Sequence, residues 1–283
     1  MSIFQSSWAF MKKHFFKTPL TSGLGFGIVF LFLFVAAFGP LIAPYGSNHM
    51  DFDHILSSPS LKHPFGTDSL GRDILSRVMY GARIDLMVVL IVVPAAGFLG
   101  VILGTVAGIT GGFIDDLIMR ITDVFMSIPY LVLTMSVAAA LGPSLRTVII
   151  AMITAWWRGY ARIARGEAIS ICESVYIEAA EAIGASRLRI IFRHTIPNEV
   201  GPILVYSTLD MGAAILTVAA LSFLGYGVQP PMPEWGAMVT QGRDYLMNQW
   251  WLSIIPGLAI FTVVWGFNMV GDKLRDVFDP RIR

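Results

Sequence analysis

Two long apolar runs of the chain flank the charged segment Glu178-Ala-Ala-Glu-Ala-Ile-Gly184-Ala-Ser-Arg-Leu-Arg-Ile-Ile-Phe-Arg-His-Thr-Ile-Pro197-Asn198. Its alanines and glutamates favour helix, and its arginines and glutamates need water or charged partners. The flanking runs are long and apolar enough to lie in lipid, so the segment is predicted to be a loop at a membrane surface. A charged loop in a chain with few charges indicates a place where an aqueous partner binds.

Composition supports a membrane protein. The chain has 283 residues, of which 55% are hydrophobic and 14% are charged, whereas soluble domains average about 25% charged residues. The net charge of +1 gives no indication of nucleic-acid binding. The single cysteine excludes an internal disulfide. We expect no cleavable signal peptide, because the first apolar run is longer than such a peptide's apolar region.

Six apolar stretches are long enough to cross a bilayer as helices. They cover residues 22–43, 86–109, 121–141, 147–163, 200–224 and 250–270. The predicted organisation is an N-terminal segment 1–21, a six-span domain 22–271 and a tail 272–283. Three connecting segments lie within that domain, at 44–85, 165–198 and 226–248. The predicted fold class is an all-α membrane protein.

The distribution of lysine and arginine predicts the orientation. With the N-terminus in the cytoplasm, 14 of the 20 basic residues fall on the inner side and 6 on the outer side. The positive-inside rule therefore favours both termini in the cytoplasm. The same orientation places the segment 165–198 inside, and the segments 44–85 and 226–248 outside.

The segment 165–198 is predicted to form two or three short helices. The first covers residues 174–183 and carries apolar side chains at helical spacing. These are Val175, Ala179, Ala182 and Ile183. Gly184 permits a turn, Ser186 can cap the next helix, and Pro197 is expected to stop that helix before the fifth span. Taken alone, this pattern also fits a basic amphipathic loop that anchors at the inner leaflet.

The spacing of this segment resembles the cytoplasmic signature loop of ABC-importer permeases. Glu178, Ala179 and Ala180 are followed by Gly184 four residues later, and Pro197 comes thirteen residues further on. Two other stretches resemble one branch of that family, the second permease of dipeptide, oligopeptide and nickel importers. They are His63-Pro-Phe-Gly-Thr-Asp68-Ser-Leu-Gly-Arg72-Asp73 and Leu221-Ser-Phe-Leu-Gly-Tyr-Gly-Val-Gln-Pro-Pro-Met-Pro-Glu234-Trp235-Gly236.

This resemblance implies a type I ABC importer permease with six spans in a prokaryotic plasma membrane. It implies a homologous sister permease, two ABC ATPases and a substrate-binding protein as partners. Peptides are the expected cargo, with nickel or another metal chelate as the alternative. The residues expected to couple the chain to an ATPase are Glu178, Ala179, Ala180, Gly184, Ser186, Arg187 and Pro197. Docking on this loop would let ATP binding drive alternating access of the helices.

No catalytic or cofactor site is predicted in this chain. It has no Gly-x-x-x-x-Gly-Lys-Ser/Thr loop, so ATP hydrolysis is expected to belong to partner subunits. An intramembrane enzyme is disfavoured because all five histidines lie outside the spans. A secondary transporter would need several intramembrane carboxylates, and only Asp210 clearly qualifies.

Three features keep two interpretations each. Asp210 either lines the substrate path or bonds to a neighbouring helix. Gly100, Gly104 and Gly108 form a ridge of small residues, for packing within this chain or against a second permease. The loop 226–248 is either a rigid connector on the outer membrane face or a functional surface, which would receive a binding protein or form part of the outer gate. The histidines and aspartates of residues 49–54 have no fixed geometry for a metal, so no metal site is assigned.

Overall fold

The structure, a computed structural model, describes residues 19–278, where long helices are joined by irregular segments. The predicted segment 1–21 and tail 272–283 therefore lie partly outside the described residues. The helices are α1 Pro19–Ile42, α2 Ile74–Thr110, α3 Gly112–Ser127, α4 Tyr130–Leu141, α5 Leu145–Cys172, α6 Val175–Ala182, α7 Arg187–Arg189, α8 Ile196–Phe223, α9 Trp235–Gly242 and α10 Trp251–Phe278. A π-helical turn, Ile190–Thr195, joins α7 to α8.

Four helical segments of the described chain are long and apolar enough to cross a membrane. They are Gly23–Ile42, Ile74–Thr110, Arg187–Phe223 and Trp251–Phe278, and they match the first, second, fifth and sixth predicted spans. The pair α3 and α4 provides a fifth if counted as one bent span. Helix α5 holds the fourth predicted span; its 28 residues are long enough, but it carries four arginines.

The third predicted span, 121–141, is wrong as a continuous helix. Helices α3 and α4 meet at an angle of 87°. Pro129 disfavours the helical conformation at the residue before it, and Ile128 is indeed extended, with φ −93° and ψ 128°. Hydropathy alone did not reveal the break, because both halves are apolar and only the proline separates them.

The core of the fold is the contact between α2 and α5. A Cβ added to Gly100 would lie 2.2 Å from the carbonyl oxygen of Trp157, and one added to Gly104 would lie 2.1 Å from that of Ala161. The two backbones therefore approach more closely than any side chain allows. The ridge of small residues packs within this chain, which confirms the first of its two interpretations.

The loop 226–248 is packed into the bundle. Its short helix α9 is capped by Glu234, whose carboxylate accepts hydrogen bonds from the backbone N–H groups of Gly236 and Ala237 at 2.6 and 2.8 Å. The buried Trp235 donates from Nε1 to the carbonyl oxygen of Val78 in α2 at 2.9 Å. This loop is therefore a wedge against α2 and not only a connector on the surface.

The contact between α2 and α5 predicts opposite effects for the same substitution at two helical glycines. Gly104→Ala forces the helices apart and is expected to lower the free energy of unfolding by about 1–3 kcal/mol, the usual range for overpacking. Gly166→Ala in α5 meets nothing within 4 Å, so it is expected to be neutral or to stabilise by about 0.5–1 kcal/mol. Thermal unfolding in detergent measures both, and equal melting temperatures for the two variants would contradict the packing.

Candidate docking site

We call residues 173–195 the docking loop. It follows α5 and precedes α8, so two long helices hold its ends. Helix α5 ends at Cys172, where the N–H of Glu173 still reaches the carbonyl oxygen of Ile169 at 3.3 Å. The backbone of the docking loop thus continues a helix that is itself locked against α2.

One face of α6 packs against the chain and the other faces outward. Ile177 and Ala180 are buried, whereas Glu178 and Ala179 are exposed. The carboxylate of Glu178 has no hydrogen bond or ion pair with any residue that the structure describes. Of the predicted coupling residues on α6, Glu178 and Ala179 are therefore available to a partner, and Ala180 serves the internal packing.

Gly184 ends α6 in a left-handed conformation, with φ +83°. The N–H of Gly184 donates to the backbone carbonyl oxygen of Glu181 at 2.9 Å, and the N–H of Ala185 donates to that of Ala180 at 3.0 Å. These two bonds form a Schellman cap, which satisfies the last carbonyl oxygens of the helix. The predicted turn at Gly184 is confirmed, and its cause is conformational, since nothing lies within 4 Å of the position of a Cβ there.

Ser186 caps the next helix as predicted, since its hydroxyl oxygen accepts from the N–H of Arg189 at 3.4 Å. The prediction that Pro197 stops this helix is wrong. Pro197 lies in the first turn of α8, and the helical rod runs without interruption from Arg187 to Phe223. The π-helical turn just before it shifts the hydrogen-bond register, and a proline near the start of the α-helical part is tolerated.

The outer surface of the docking loop is unusually apolar for a loop. Large apolar side chains of the loop are exposed: Val175 at 79%, Ile183 at 88%, Leu188 at 67% and Phe192 at 60%. Three exposed arginines lie among them: Arg187, Arg189 and Arg193. Val175 and Ile183 belong to the predicted apolar face, but Leu188 and Phe192 do not; Leu188 lies five residues after Ile183, and Phe192 lies four residues after Leu188.

The docking loop is tied back to the bundle. Asn198 in α8 donates from Nδ2 to the hydroxyl of Tyr176 in α6 at 3.3 Å. The ring of Tyr176 also lies 6.4 Å from the ring of His194. These contacts join α6 to the end of the docking loop and to the start of α8, so they fix the position of α6.

Arginines of α5 hold the neighbouring helix α3. Arg165 makes two hydrogen bonds to Asp115, both at 2.6 Å. Arg162 pairs with Asp123, and Arg158 donates to the carbonyl oxygen of Ile128, at the bend, at 3.0 Å. Asp123 therefore has a structural contact, and α5 connects the bent pair to the docking loop.

Asp210 lies inside the chain. It is buried in α8, and its neighbours on α5 are Tyr160 and Trp156. Tyr160 in turn packs edge-on against Tyr206, with ring centroids 4.9 Å apart. This position agrees with the interpretation that Asp210 contacts a neighbouring helix, and a role in the substrate path stays a prediction.

Comparison with protein families finds two matches. Residues 100–283 match the binding-protein-dependent transport system inner membrane component. Residues 6–59 match the N-terminal transmembrane domain of oligopeptide transport permease C. The first match includes the docking loop and all of α5, α8, α9 and α10.

Similar proteins come from several bacteria. The probable D,D-dipeptide transport system permease protein DdpC of Escherichia coli is 44% identical over 254 residues, which is 90% of this chain and 85% of that protein. The dipeptide transport system permease protein DppC of Alkalihalophilus pseudofirmus is 41% identical over 278 residues, or 98% and 91%. The glutathione transport system permease protein GsiD of an Escherichia coli strain is 43% identical over 264 residues, or 90% and 84%.

A solved structure confirms the fold. A chain of the MetNI methionine ABC transporter, solved in inward-facing conformations, superimposes with a TM-score of 0.54 at 16% identity. The match covers 71% of the present chain and 96% of that chain. The predicted all-α, type I importer permease fold is therefore confirmed.

The cap at Gly184 predicts a difference between two substitutions. Gly184→Ala must place a Cβ in the left-handed region, at a cost of about 1–2 kcal/mol. Gly184→Asn is expected to cost less, because asparagine adopts this conformation more readily. Hydrogen exchange at the amides of residues 184 and 185 should therefore be about 5–30-fold faster in the alanine variant than in the wild type. Equal protection in the alanine and asparagine variants would contradict this role.

Proposed function

Because the chain belongs to the family of binding-protein-dependent transport system inner membrane components, we propose that it forms half of the translocation pore of an ATP-driven peptide importer. Family membership makes it a membrane permease subunit that does not itself hydrolyse ATP. The proposed complex adds a homologous sister permease, two ABC ATPases and an extracytoplasmic substrate-binding protein. Both termini and the docking loop face the cytoplasm in this arrangement, as the distribution of basic residues indicates.

Peptides are the proposed cargo. The relatives described above are named for dipeptides, D,D-dipeptides and glutathione, which share a peptide backbone. That these three names agree, at 41–44% identity over most of the chain, favours peptides over the alternative of a nickel chelate.

The docking loop is the proposed contact with the ATPase, and its exposed surface is the observation that carries this proposal. Val175, Ile183, Leu188 and Phe192 are large, apolar and exposed in this chain. Burying such side chains contributes about 1.5–3 kcal/mol each, which is the kind of stabilisation that a protein interface uses. Glu178 adds a carboxylate that is free to accept hydrogen bonds at the edge of this surface.

A membrane anchor is the competing explanation for the same apolar side chains. The geometry of α6 favours a protein partner. Glu178 and Glu181 are exposed on the same short helix as Val175, and carboxylates are repelled by anionic headgroups. The Schellman cap and the contact between Tyr176 and Asn198 also hold α6 in a defined position, as a shaped protein groove requires.

Energy would enter through the difference in ATPase affinity between two arrangements of the helices. Closure of the ATPases would displace the docking loop, and the loop would carry α5 and α8 with it because it is continuous with both. Helix α5 is bonded to α3 by Arg165 and packed against α2. The loop is therefore coupled to most of the bundle, as alternating access requires.

Uptake into proteoliposomes tests the cargo and the coupling together. With the sister permease, ATPases and binding protein present, labelled dipeptide should accumulate with internal ATP, and an ion gradient alone should not replace ATP. Ile183→Glu places a charge in the proposed interface and should lower uptake about tenfold or more, equivalent to about 1.4 kcal/mol. Glu178→Lys should lower it in the same direction.

The matched control is Leu61→Glu, which changes a fully exposed leucine on the segment between α1 and α2. It should leave uptake unchanged. Accumulation of a nickel chelate but not of dipeptides would overturn the proposal that the cargo is a peptide. Equal dipeptide uptake by the wild type and the Ile183→Glu variant would overturn the docking surface while leaving the cargo intact.

A further inference from the structure

Three side chains that can bind metals converge on the segment between α1 and α2. Asp51, His54 and His63 each present one ligand atom, and these atoms all lie within 4.8 Å of one another. Asp51 Oδ2 is 3.0 Å from His54 Nδ1 and 3.7 Å from His63 Nε2. His63 is nine residues beyond His54, and the fold of the segment brings the two rings to a centroid distance of 5.5 Å.

His63 is built into the protein by a second carboxylate. Its side chain is only 1% exposed, and its Nδ1 lies 3.0 Å from Asp73 Oδ1. Asp73 is fixed in turn, because its Oδ2 accepts from the N–H and the hydroxyl of Ser76 at 2.8 and 2.7 Å, at the start of α2. A histidine held by a carboxylate on one nitrogen is the usual arrangement of a metal ligand, since the carboxylate orients the ring and raises its basicity.

The other nitrogen of His63 has no hydrogen-bond partner. Nε2 is buried and aimed toward Asp51, and among the described residues nothing donates to it or accepts from it. When Nδ1 donates its proton to Asp73, Nε2 carries a lone pair. A buried polar atom without a partner lowers the stability of the fold by about 1–3 kcal/mol. A cation bound to this lone pair would remove that penalty.

The distances suit a tetrahedral ion. Zinc–nitrogen and zinc–oxygen bonds of about 2.0–2.2 Å place neighbouring ligand atoms roughly 3.3–3.5 Å apart. The two distances from Asp51 Oδ2, at 3.0 and 3.7 Å, lie on either side of that value. Two imidazoles and one carboxylate are also the ligands that zinc and its neighbours in the first transition series prefer.

Lys62 is the competitor for this position. Its ammonium lies 2.8 Å from Asp51 Oδ2 and 3.4 Å from His54 Nδ1. The Lys62 ammonium therefore lies where a cation bound by Asp51 and His54 would lie. The side chain of Lys62 is 52% exposed, and a long exposed lysine can turn out into water with little loss.

We propose that Asp51, His54 and His63 bind one divalent transition-metal ion of the zinc class, and that the ion fastens the segment between α1 and α2 to the start of α2. The ion takes the place of the Lys62 ammonium and joins the 51–54 turn to His63, which Asp73 holds to the helix. This site differs from the cluster of residues 49–54 considered in the sequence. His49 stacks on Tyr45 instead, with ring centroids 5.7 Å apart, and Asp53 is exposed outside the cluster.

Zinc titration of the full chain tests the site, with the protein purified in detergent through a tag that contains no histidine. Competition against a chromophoric chelator should give one ion per chain for the wild type. His54→Ala changes a partly exposed ligand and should weaken binding by at least about tenfold. Asp73→Asn retains an oxygen for the helix cap and should weaken binding about 10–100-fold, the usual effect of losing the residue behind a ligand.

Two further variants separate a built site from adventitious binding. Lys62→Met removes the competitor and should tighten binding, whereas His49→Ala should leave it unchanged. Zinc should also raise the melting temperature of the wild type but not of the His54→Ala variant, because an ion that binds only the folded state stabilises it. The proposal is overturned if His49→Ala weakens binding as much as His54→Ala, or if neither the wild type nor Lys62→Met binds zinc.

Discussion

The close approach of the α2 and α5 backbones is the constraint on which the other contacts depend. Gly100 and Gly104 bring the helices together at distances that leave no room for a Cβ. Helix α5 can then keep arginines in its second half, because they find partners in α3 and at the bend that follows it. The same contact fixes the end of α5, from which the docking loop leaves the bundle.

The docking loop combines a rigid frame with an unsatisfied surface. Gly184 and Ser186 satisfy its helix ends, and Tyr176 ties it to α8. Its large apolar side chains nevertheless remain outside the core. The loop is ordered, yet Ile183 stays exposed, and we propose that a docked protein supplies the missing contact. This is the physical reason for connecting the loop to an energy-providing partner.

Sequence reasoning recovered what depends on composition and short spacing. Apolar runs located four long helices, the glycine ridge predicted a close helix contact, and Gly184 and Ser186 were assigned correct local roles. It failed at two prolines. Pro129 interrupts a predicted span, whereas the helix continues through Pro197, which follows a π-helical turn. It also missed His63 beside Asp51, because an irregular segment of the chain gives no periodicity from which such a contact can be inferred.

Photo-cross-linking in intact membranes tests the central claim most directly. A benzophenone side chain placed at Ile183, which is 88% exposed at the end of α6, should form a covalent adduct with the ATPase subunit of the assembled complex. The same group at Leu61, on the opposite side of the membrane in the proposed orientation, should form none with the ATPase. Adducts at Ile183 with lipid alone would contradict the account and leave the loop as a membrane anchor.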